Sequence, residues 1–186
     1  MKGFAKRMQT AGAVLCLFLT ALGATLFLAG ARINTSNSIP IGLYWKTARP
    51  VALGDYVIFC PPQNNLFREA RARRYLDAGF CPGGFGPLMK QVAAIPGDSV
   101  SISEDGVKVN GKRRAYSRPM SMDLEGRPLP QPRITRKLKA SELLLMTDQN
   151  PVSFDARYFG PVNQFQVEAV IKPVLTRALH QHLTGY

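Results

Sequence analysis

Residues 88–98, which read LMKQVAAIPGD, decide the fold class of this chain. Pro87 and Pro96 enclose eight residues of this stretch. That spacing favours a buried β-strand over a helix, because proline interrupts the hydrogen bonding of a helix interior. The Pro-Gly-Asp ending predicts a turn. One residue of the apolar run is charged, Lys90, and a lysine there either extends its amine to solvent or serves as a buried functional group.

Short runs with the composition of strands lie on both sides of this stretch. They are residues 56–60, 99–103, 107–109, 143–146 and 167–174. Turn sequences separate several of them, including Glu104-Asp105-Gly106. Residues 65–78 have helix-forming composition with a weakly apolar face and predict a surface helix. Residues 113–137 are rich in Arg and Pro and predict an extended basic insert. Together, these predicted strands and turns indicate a mainly β domain.

An uncharged stretch of 21 residues, 11–31, precedes this domain. As a helix at 1.5 Å per residue it spans about 31 Å, which matches the hydrocarbon thickness of a bilayer. Residues 1–10 hold three basic side chains and no acidic one. The positive-inside rule therefore predicts a cytoplasmic segment 1–10, a single transmembrane anchor 11–31 and an exported domain 32–186. Ala29-Gly30-Ala31 leaves open the alternative of a cleavable signal peptide.

The chain is strongly basic, with 24 Lys and Arg against 12 Asp and Glu and a net charge of +12. Three of the basic residues precede the apolar stretch, so residues 32–186 hold 21 basic and 12 acidic side chains and a net charge of +9. Such a surface suits the anionic lipid headgroups beside an anchor. No nucleic-acid-binding motif accompanies the charge, so a specific nucleic-acid partner is not expected.

The chain has three cysteines, of which Cys16 lies inside the apolar stretch and Cys60 and Cys81 lie in the exported part. In an oxidising compartment the second pair would form a disulfide worth about 3 kcal/mol on loop-entropy grounds. Two unpaired core thiols are the alternative. The histidines His180 and His182 resemble a weak metal pair more than a catalytic base, and a solvated tail is the expectation for them. No metal or cofactor is expected.

Ser38 lies seven residues after the apolar stretch and therefore just outside the membrane. Pro40 and Gly42 follow it and predict irregular backbone. Alone, a serine before proline predicts no more than a capped turn. A serine nucleophile needs a base, and burial among apolar neighbours would lower the pKa of Lys90 towards neutrality.

These two segments and a third, residues 147–160 with the sequence TDQNPVSFDARYFG, resemble in their order the signal peptidase family (S26) of membrane-anchored serine proteases. The sequence SIPIGLY at residues 38–44 is most similar to the branch from conjugative plasmids, the TraF-type pilin-processing peptidases. The resemblance implies a signal-peptidase-like β domain with a single N-terminal transmembrane helix. It also implies a bacterial inner membrane, with the catalytic domain in the periplasm.

The resemblance assigns the central roles to Ser38 as nucleophile and Lys90 as general base. Ser36 matches a hydroxyl that helps the backbone N–H of the nucleophile to hold the oxyanion, and Thr35 is an alternative donor. Ser153 matches a serine that forms a hydrogen bond with the lysine amine.

The same third segment supplies an ion pair. Asp155 matches a carboxylate that braces the site, with Arg157 as its partner. The alternative is a surface pair worth under about 1 kcal/mol.

The function that the resemblance implies is a serine endopeptidase with a Ser-Lys dyad. It would cut a membrane-inserted pilin or secretory precursor after small residues for conjugative transfer, releasing the product by hydrolysis or closing it into a ring. An alternative from another class is a non-enzymatic, membrane-anchored scaffold of a conjugation or secretion channel. A self-cleaving Ser-Lys repressor is a third option, which the membrane anchor disfavours.

Overall fold

The computed structural model describes the backbone of residues 2–177 and the side chains of residues 6–177. The chain divides into two units, Met1–Arg32 and Ile33–Tyr186. The first unit consists mainly of helix α1 (Lys2–Ala29). Within it, Lys6–Ala29 is long and apolar enough to cross a membrane. Cys16 lies in this helix with an exposed, unpaired thiol.

Strands are the main regular structure of the remaining described residues, which confirms the predicted mainly β fold. The strands are β1 (Ala31–Asn34), β2 (Ile41–Thr47), β3 (Tyr56–Phe59), β4 (Ala78–Cys81), β5 (Leu88–Ala94), β6 (Ser99–Ser103), β7 (Gly106–Val109), β8 (Lys112–Arg113), β9 (Ile134–Lys137), β10 (Glu142–Met146), β11 (Val162–Asn163) and β12 (Val167–Arg177). Two short α-helices accompany them, α2 (Asn65–Ala72) and α3 (Ala156–Phe159).

The strands form two sheets. The larger has the order β1-β2-β12-β3-β5-β10-β11, and the smaller has the order β8-β7-β6-β9. The described pairings from β2 to β11 and throughout the smaller sheet are antiparallel. The sheets pack together through a core that includes Ala93 and Met146 of the larger sheet and Val100 and Ile102 of the smaller. The opposite face of the larger sheet carries a second apolar core.

Strand β5 occupies an interior position of the larger sheet, between β3 and β10. Its residues from Val92 to Ala94 are all buried. An unbroken apolar run suits a strand that is covered on both faces, whereas a half-exposed strand would alternate. The strand ends at Ala94, two residues before Pro96. The sequence between the two prolines therefore builds the strand that carries Lys90.

Strand β2 corrects the expectation that Pro40 and Gly42 keep the chain irregular beyond Ser38. Gly42 lies inside this strand with φ +148°. A Cβ at this position would lie 2.1 Å from the carbonyl oxygen of Leu175 in β12. The register of the two strands shifts between Pro173 and Leu175. Glycine therefore permits a close strand approach here and does not end the strand.

The helix predicted over residues 65–78 is shorter and better covered than expected. It ends at Ala72, and Arg74 with φ +62° turns the chain soon afterwards. Phe67 is buried and packs against the ring of Phe159, with 5.2 Å between the ring centroids. An aromatic contact with a distant segment thus covers a helix face that the local sequence leaves weakly apolar.

The insert expected at residues 113–137 is regular at both ends. Arg113 belongs to β8, and β9 pairs with β6 in the smaller sheet. In β9 Ile134 is partly buried and Thr135 is exposed, a period-two alternation that the Arg-rich and Pro-rich composition obscures. Between these strands, residues 114–133 contain no helix or named strand in the described structure.

Cys60 and Cys81 form a disulfide across a sequence separation of 21 residues. Of the two alternatives for these cysteines, the structure therefore has the bonded one. The bridge joins the residue after β3 to the end of β4, so it closes the segment that contains α2.

Candidate active site

Ser38 and Lys90 are 52 residues apart in the sequence but are in hydrogen-bond contact. The Nζ atom of Lys90 lies 2.6 Å from Oγ of Ser38 and 2.8 Å from Oγ of Ser153. The two hydroxyl oxygens lie 3.1 Å from each other. One amine and two hydroxyls therefore form a closed triangle in which protons can be exchanged.

The position of Lys90 follows from strand β5. Lys90 is paired with Val57 of β3, and by strand alternation its side chain lies on the same face as Val92. That face belongs to an apolar core which also contains Leu145 of β10. Lys90 is only 2% exposed. Its amine consequently lies among apolar residues and the two hydroxyls and does not extend into solvent.

Burial lowers the pKa of Lys90 from 10.5 to about 8. Smaller effects come from the negative charge of Asp155, which raises it, and the positive charge of Arg157, which lowers it. Among the ion pairs of the described residues, none within 4 Å involves Lys90. The lowered pKa brings the neutral form of Lys90 closer to physiological pH, and a neutral amine can accept a proton from an adjacent hydroxyl.

The backbone around Ser38 is held by side chains from other elements. Thr147 Oγ1 donates a hydrogen bond to the carbonyl of Ser38 at 2.8 Å. The hydroxyl of Tyr44 donates to the carbonyl of Pro40 at 2.6 Å. The buried amide of Asn34 also binds this loop. Sequence reasoning did not identify these three side chains, because their partners are main-chain carbonyls that no side-chain motif specifies.

Asp155 and Arg157 form a fully buried ion pair. Nε and Nη2 of Arg157 lie 2.8 and 2.9 Å from the two carboxylate oxygens of Asp155, and both residues are 0% exposed. Asp155 also accepts a hydrogen bond from the backbone N–H of Thr147 at 3.0 Å and caps the N-terminus of α3. The surface-pair alternative is therefore wrong. The pair connects the segment after β10 to the helix that follows Ser153.

Ser36 is exposed, and its hydroxyl donates to Oδ1 of Asn34 at 2.9 Å. A hydroxyl has one proton, so in this state Ser36 is not donating to an oxyanion. The alternative donor, Thr35, is also exposed. Within the described residues, the backbone N–H of Ser38 has no hydrogen-bond acceptor. That N–H is consequently available to a developing negative charge.

The described residues contain one group of three potential metal ligands, formed by Cys60, Cys81 and Glu168. The disulfide uses both sulfur atoms, so Glu168 alone remains as a ligand there. His180 and His182, which resemble a weak metal pair, lie outside the described residues.

Comparison with known proteins gives a consistent set of relatives. The family described as "Signal peptidase, peptidase S26" matches residues 5–175. A plasmid transfer protein TraF from Escherichia coli is 48% identical over 177 residues, which cover 95% of this chain and 97% of that protein. The conjugal transfer protein TraF of Agrobacterium tumefaciens (strain 15955) is 38% identical over 163 residues, which cover 86% and 90%.

Among solved structures, a signal peptidase I from Enterococcus faecalis V583 aligns with a TM-score of 0.40 and 20% identity. The alignment covers 68% of this chain and 100% of that one. The family match extends over nearly the whole sequence, and the relatives named TraF align over most of their own length. The chain therefore belongs to the signal peptidase S26 family, and its relatives include the TraF proteins of plasmid and conjugal transfer.

Proposed function

We propose that this chain is a membrane-anchored serine endopeptidase in which Ser38 is the nucleophile and Lys90 is the general base. The proposal depends above all on the 2.6 Å distance between Nζ of Lys90 and Oγ of Ser38 at a position where Lys90 is 2% exposed. A serine hydroxyl attacks a carbonyl effectively only as its proton is removed. Burial brings the pKa of the adjacent amine to about 8, within reach of physiological pH.

The proposed reaction begins when unprotonated Lys90 takes the proton of Ser38 as Oγ bonds to the substrate carbonyl carbon. The backbone N–H of Ser38 donates to the resulting oxyanion, and the hydroxyl of Ser36 adds a second hydrogen bond once it turns away from Asn34. Protonated Lys90 then gives its proton to the departing amine, and an ester between the substrate and Ser38 remains.

The second half of the reaction releases that ester. Lys90 accepts a proton from the incoming nucleophile, which is water in hydrolysis or a free amino group in ring closure. The ester C–O bond breaks, and the proton returns to the oxygen of Ser38. Ser153 accepts a hydrogen bond from the amine, so the nitrogen lone pair stays directed at Ser38. Asp155 and Arg157 hold the segment that carries Ser153.

The proposed substrate is a membrane-inserted pilin or secretory precursor that is cut beside the bilayer. Membership of the signal peptidase family supports a precursor protein as substrate, and the relatives named for conjugal transfer support a pilin. A helix that can span the membrane would keep enzyme and precursor at one surface, which raises their effective concentration.

In the proposed membrane topology, segment 11–31 crosses the bacterial inner membrane. Residues 1–10 lie in the cytoplasm and residues 32–186 lie in the periplasm. The basic surface of the exported domain would meet anionic lipid headgroups. A specific nucleic-acid partner is not part of the proposal.

Mass spectrometry of a propilin from a conjugative plasmid, incubated with the full chain in detergent, tests this function. A shortened product indicates hydrolysis, and a product lighter by one further water indicates ring closure. The variant Ser38→Ala lacks the nucleophile and should leave the precursor intact. If the folded native protein also leaves it intact, the endopeptidase proposal is wrong and the scaffold alternative is favoured.

A further inference from the structure

We infer that Asn34 is a positioning residue for acyl transfer. Its amide holds residues 35–40, here called the nucleophile loop, in the shape that leaves the Ser38 N–H free. Its oxygen accepts a hydrogen bond from the Ser36 hydroxyl until the oxyanion forms. This assignment rests on the proposed function, because its effect is exerted through the attack by Ser38.

Asn34 is the last residue of β1 and is 3% exposed. Its Nδ2 atom lies 2.8 Å from the carbonyl oxygen of Ser36, 2.9 Å from that of Ile39 and 3.1 Å from that of Pro40. A primary amide has two N–H groups, so three carbonyls share two protons. The nucleophile loop therefore curls around a single nitrogen atom.

The oxygen of the same amide is also used inside the loop. Oδ1 of Asn34 accepts from the backbone N–H of Ser36 at 3.1 Å and from its hydroxyl at 2.9 Å. Both the donors and the acceptor of this buried side chain therefore form hydrogen bonds with the nucleophile loop. Removing one partner from such a network leaves buried polar groups unpaired.

The peptide group between Asn37 and Ser38 lies between the carbonyls that Asn34 holds. The carbonyl of Asn37 accepts from Nε2 of Gln149 at 3.4 Å. In a trans peptide the carbonyl and the following N–H point in opposite directions. The N–H of Ser38 therefore points away from Gln149, and it has no acceptor among the described residues. Asn34 fixes both flanks of this peptide and so helps to keep the donor aimed.

Asn34 also controls the second oxyanion donor. The Ser36 hydroxyl can stabilise an oxyanion only by releasing Oδ1 of Asn34, because it has a single proton. Asn34→Asp keeps an oxygen acceptor at this point and loses the Nδ2 donors, whereas Asn34→Leu loses both. Both variants therefore remove the hold on the carbonyls, and only Asn34→Leu also removes the acceptor of the Ser36 hydroxyl.

The test measures kcat and KM for propilin cleavage by the full chain in detergent. Asn34→Leu and Asn34→Asp should each lower kcat by about 10²-fold, the size of a lost oxyanion donor. KM should stay within about threefold, because the amide is directed at the loop and not at substrate. Ser36→Ala should lower kcat in the native background but not further in the Asn34→Leu background, since the two residues act as one unit.

Ser117→Ala is the matched control. Ser117 is 2% exposed, accepts from the N–H of Val107 at 3.1 Å and donates to the carbonyl of Arg114 at 2.6 Å, in a different loop. It should disturb folding comparably and leave kcat within about threefold. Hydrogen exchange gives an independent readout. Amide exchange at Ser36, whose N–H donates to Oδ1 of Asn34, should be at least about tenfold faster in Asn34→Leu than in the native chain.

The outcomes are distinguishable. If both Asn34 variants keep kcat within threefold of native, or lose no more than Ser117→Ala, the positioning role is overturned while the endopeptidase stands. A rise in KM that accounts for the loss of kcat/KM also overturns it. If the native chain cleaves nothing, the proposed function has failed. In that case, an unchanged rate of amide hydrogen exchange in Asn34→Leu would separately show that Asn34 does not hold the nucleophile loop.

Discussion

Lys90 and Arg157 are two buried cations of one protein with opposite surroundings. Arg157 is 0% exposed, faces both oxygens of Asp155 and donates to the carbonyl of Pro151 at 2.5 Å. Lys90 is 2% exposed and meets two hydroxyls, and it takes part in none of the ion pairs of the described residues. A buried charge needs a counter-charge or gives up its proton.

The two residue types fit these surroundings. A guanidinium keeps its proton at any physiological pH and binds a carboxylate with two parallel hydrogen bonds, whereas an ammonium loses its proton when burial lowers its pKa. The Arg157 region therefore builds a fixed support, and the Lys90 region builds an amine that can change its charge. The contrast teaches that a buried amine can lose its proton where, among the described residues, no carboxylate forms an ion pair with it.

Replacing the lysine by a second arginine should have the largest effect on the rate of cleavage. Lys90→Arg introduces a guanidinium that cannot release its proton, so the initial rate of propilin cleavage in detergent should fall by roughly 10³-fold or more. Lys90→Met, of similar length and without charge, should be equally inactive. Fluorescence of Trp45, the single tryptophan, checks that both variants are folded. Cleavage by either folded variant would mean that Lys90 is not the base.

Removing the counter-charge from the fixed cation should mainly affect stability. Asp155→Asn leaves Arg157 buried without a carboxylate, and the free energy of unfolding should fall by about 3–5 kcal/mol. Urea unfolding followed by Trp45 fluorescence measures it. The control is Glu104→Gln, whose partner Arg133 lies 3.5 Å away.

Both side chains of the control pair are more than 70% exposed, so its removal should cost less than about 1 kcal/mol. If Asp155→Asn and Glu104→Gln cost the same free energy, burial is not what distinguishes the Asp155–Arg157 pair.

The main strands of the fold could be predicted because their information is local. Strand β5 is an apolar run between prolines, and β6 has an alternating pattern. Strand β2 could not be predicted, because Gly42 is explained by the carbonyl of Leu175, a neighbour in space that is far away in the sequence. The contact of Phe67 with Phe159 is missed for the same reason.

The candidate site divides in the same way. Ser38, Lys90 and Ser153 were selected through family resemblance, and the structure brings them together, while their roles remain predictions. No sequence motif indicates Asn34 and Thr147, because their partners are main-chain carbonyls of the nucleophile loop. Any loop of that shape needs such donors, but the sequence of the loop does not state which residues supply them.

Removing the reactive cation should raise stability in a way that depends on pH. The unfolded chain keeps Lys90 protonated up to about pH 10.5, whereas the folded chain releases the proton near pH 8. Native stability therefore gains from this group as pH rises from 8 to 10.5, and the full penalty applies below pH 8. Lys90→Met should be more stable than native at pH 6 by an amount on the order of 3 kcal/mol.

The advantage of Lys90→Met should shrink steadily above pH 8, as judged by urea unfolding at several pH values. The hydroxyls of Ser38 and Ser153 lie 3.1 Å apart and can bond to each other in this variant, so neither is left unpaired. A difference that is constant from pH 6 to pH 10 would show that Lys90 is not the titrating group.

The activity of the native chain should itself report the proton of Lys90. The base acts unprotonated and its pKa is lowered to about 8, so kcat/KM should rise about tenfold from pH 7 to pH 9 and then level off.

Ser153→Ala removes a hydroxyl that accepts from the amine at 2.8 Å. The ammonium form loses more from this change than the neutral form, so the midpoint should move to lower pH. Ser36→Ala is the control, because in the structure its hydroxyl binds Asn34 and not the amine, and its midpoint should match the native value. A midpoint that stays in place in Ser153→Ala would mean that the second hydroxyl does not affect the proton affinity of Lys90.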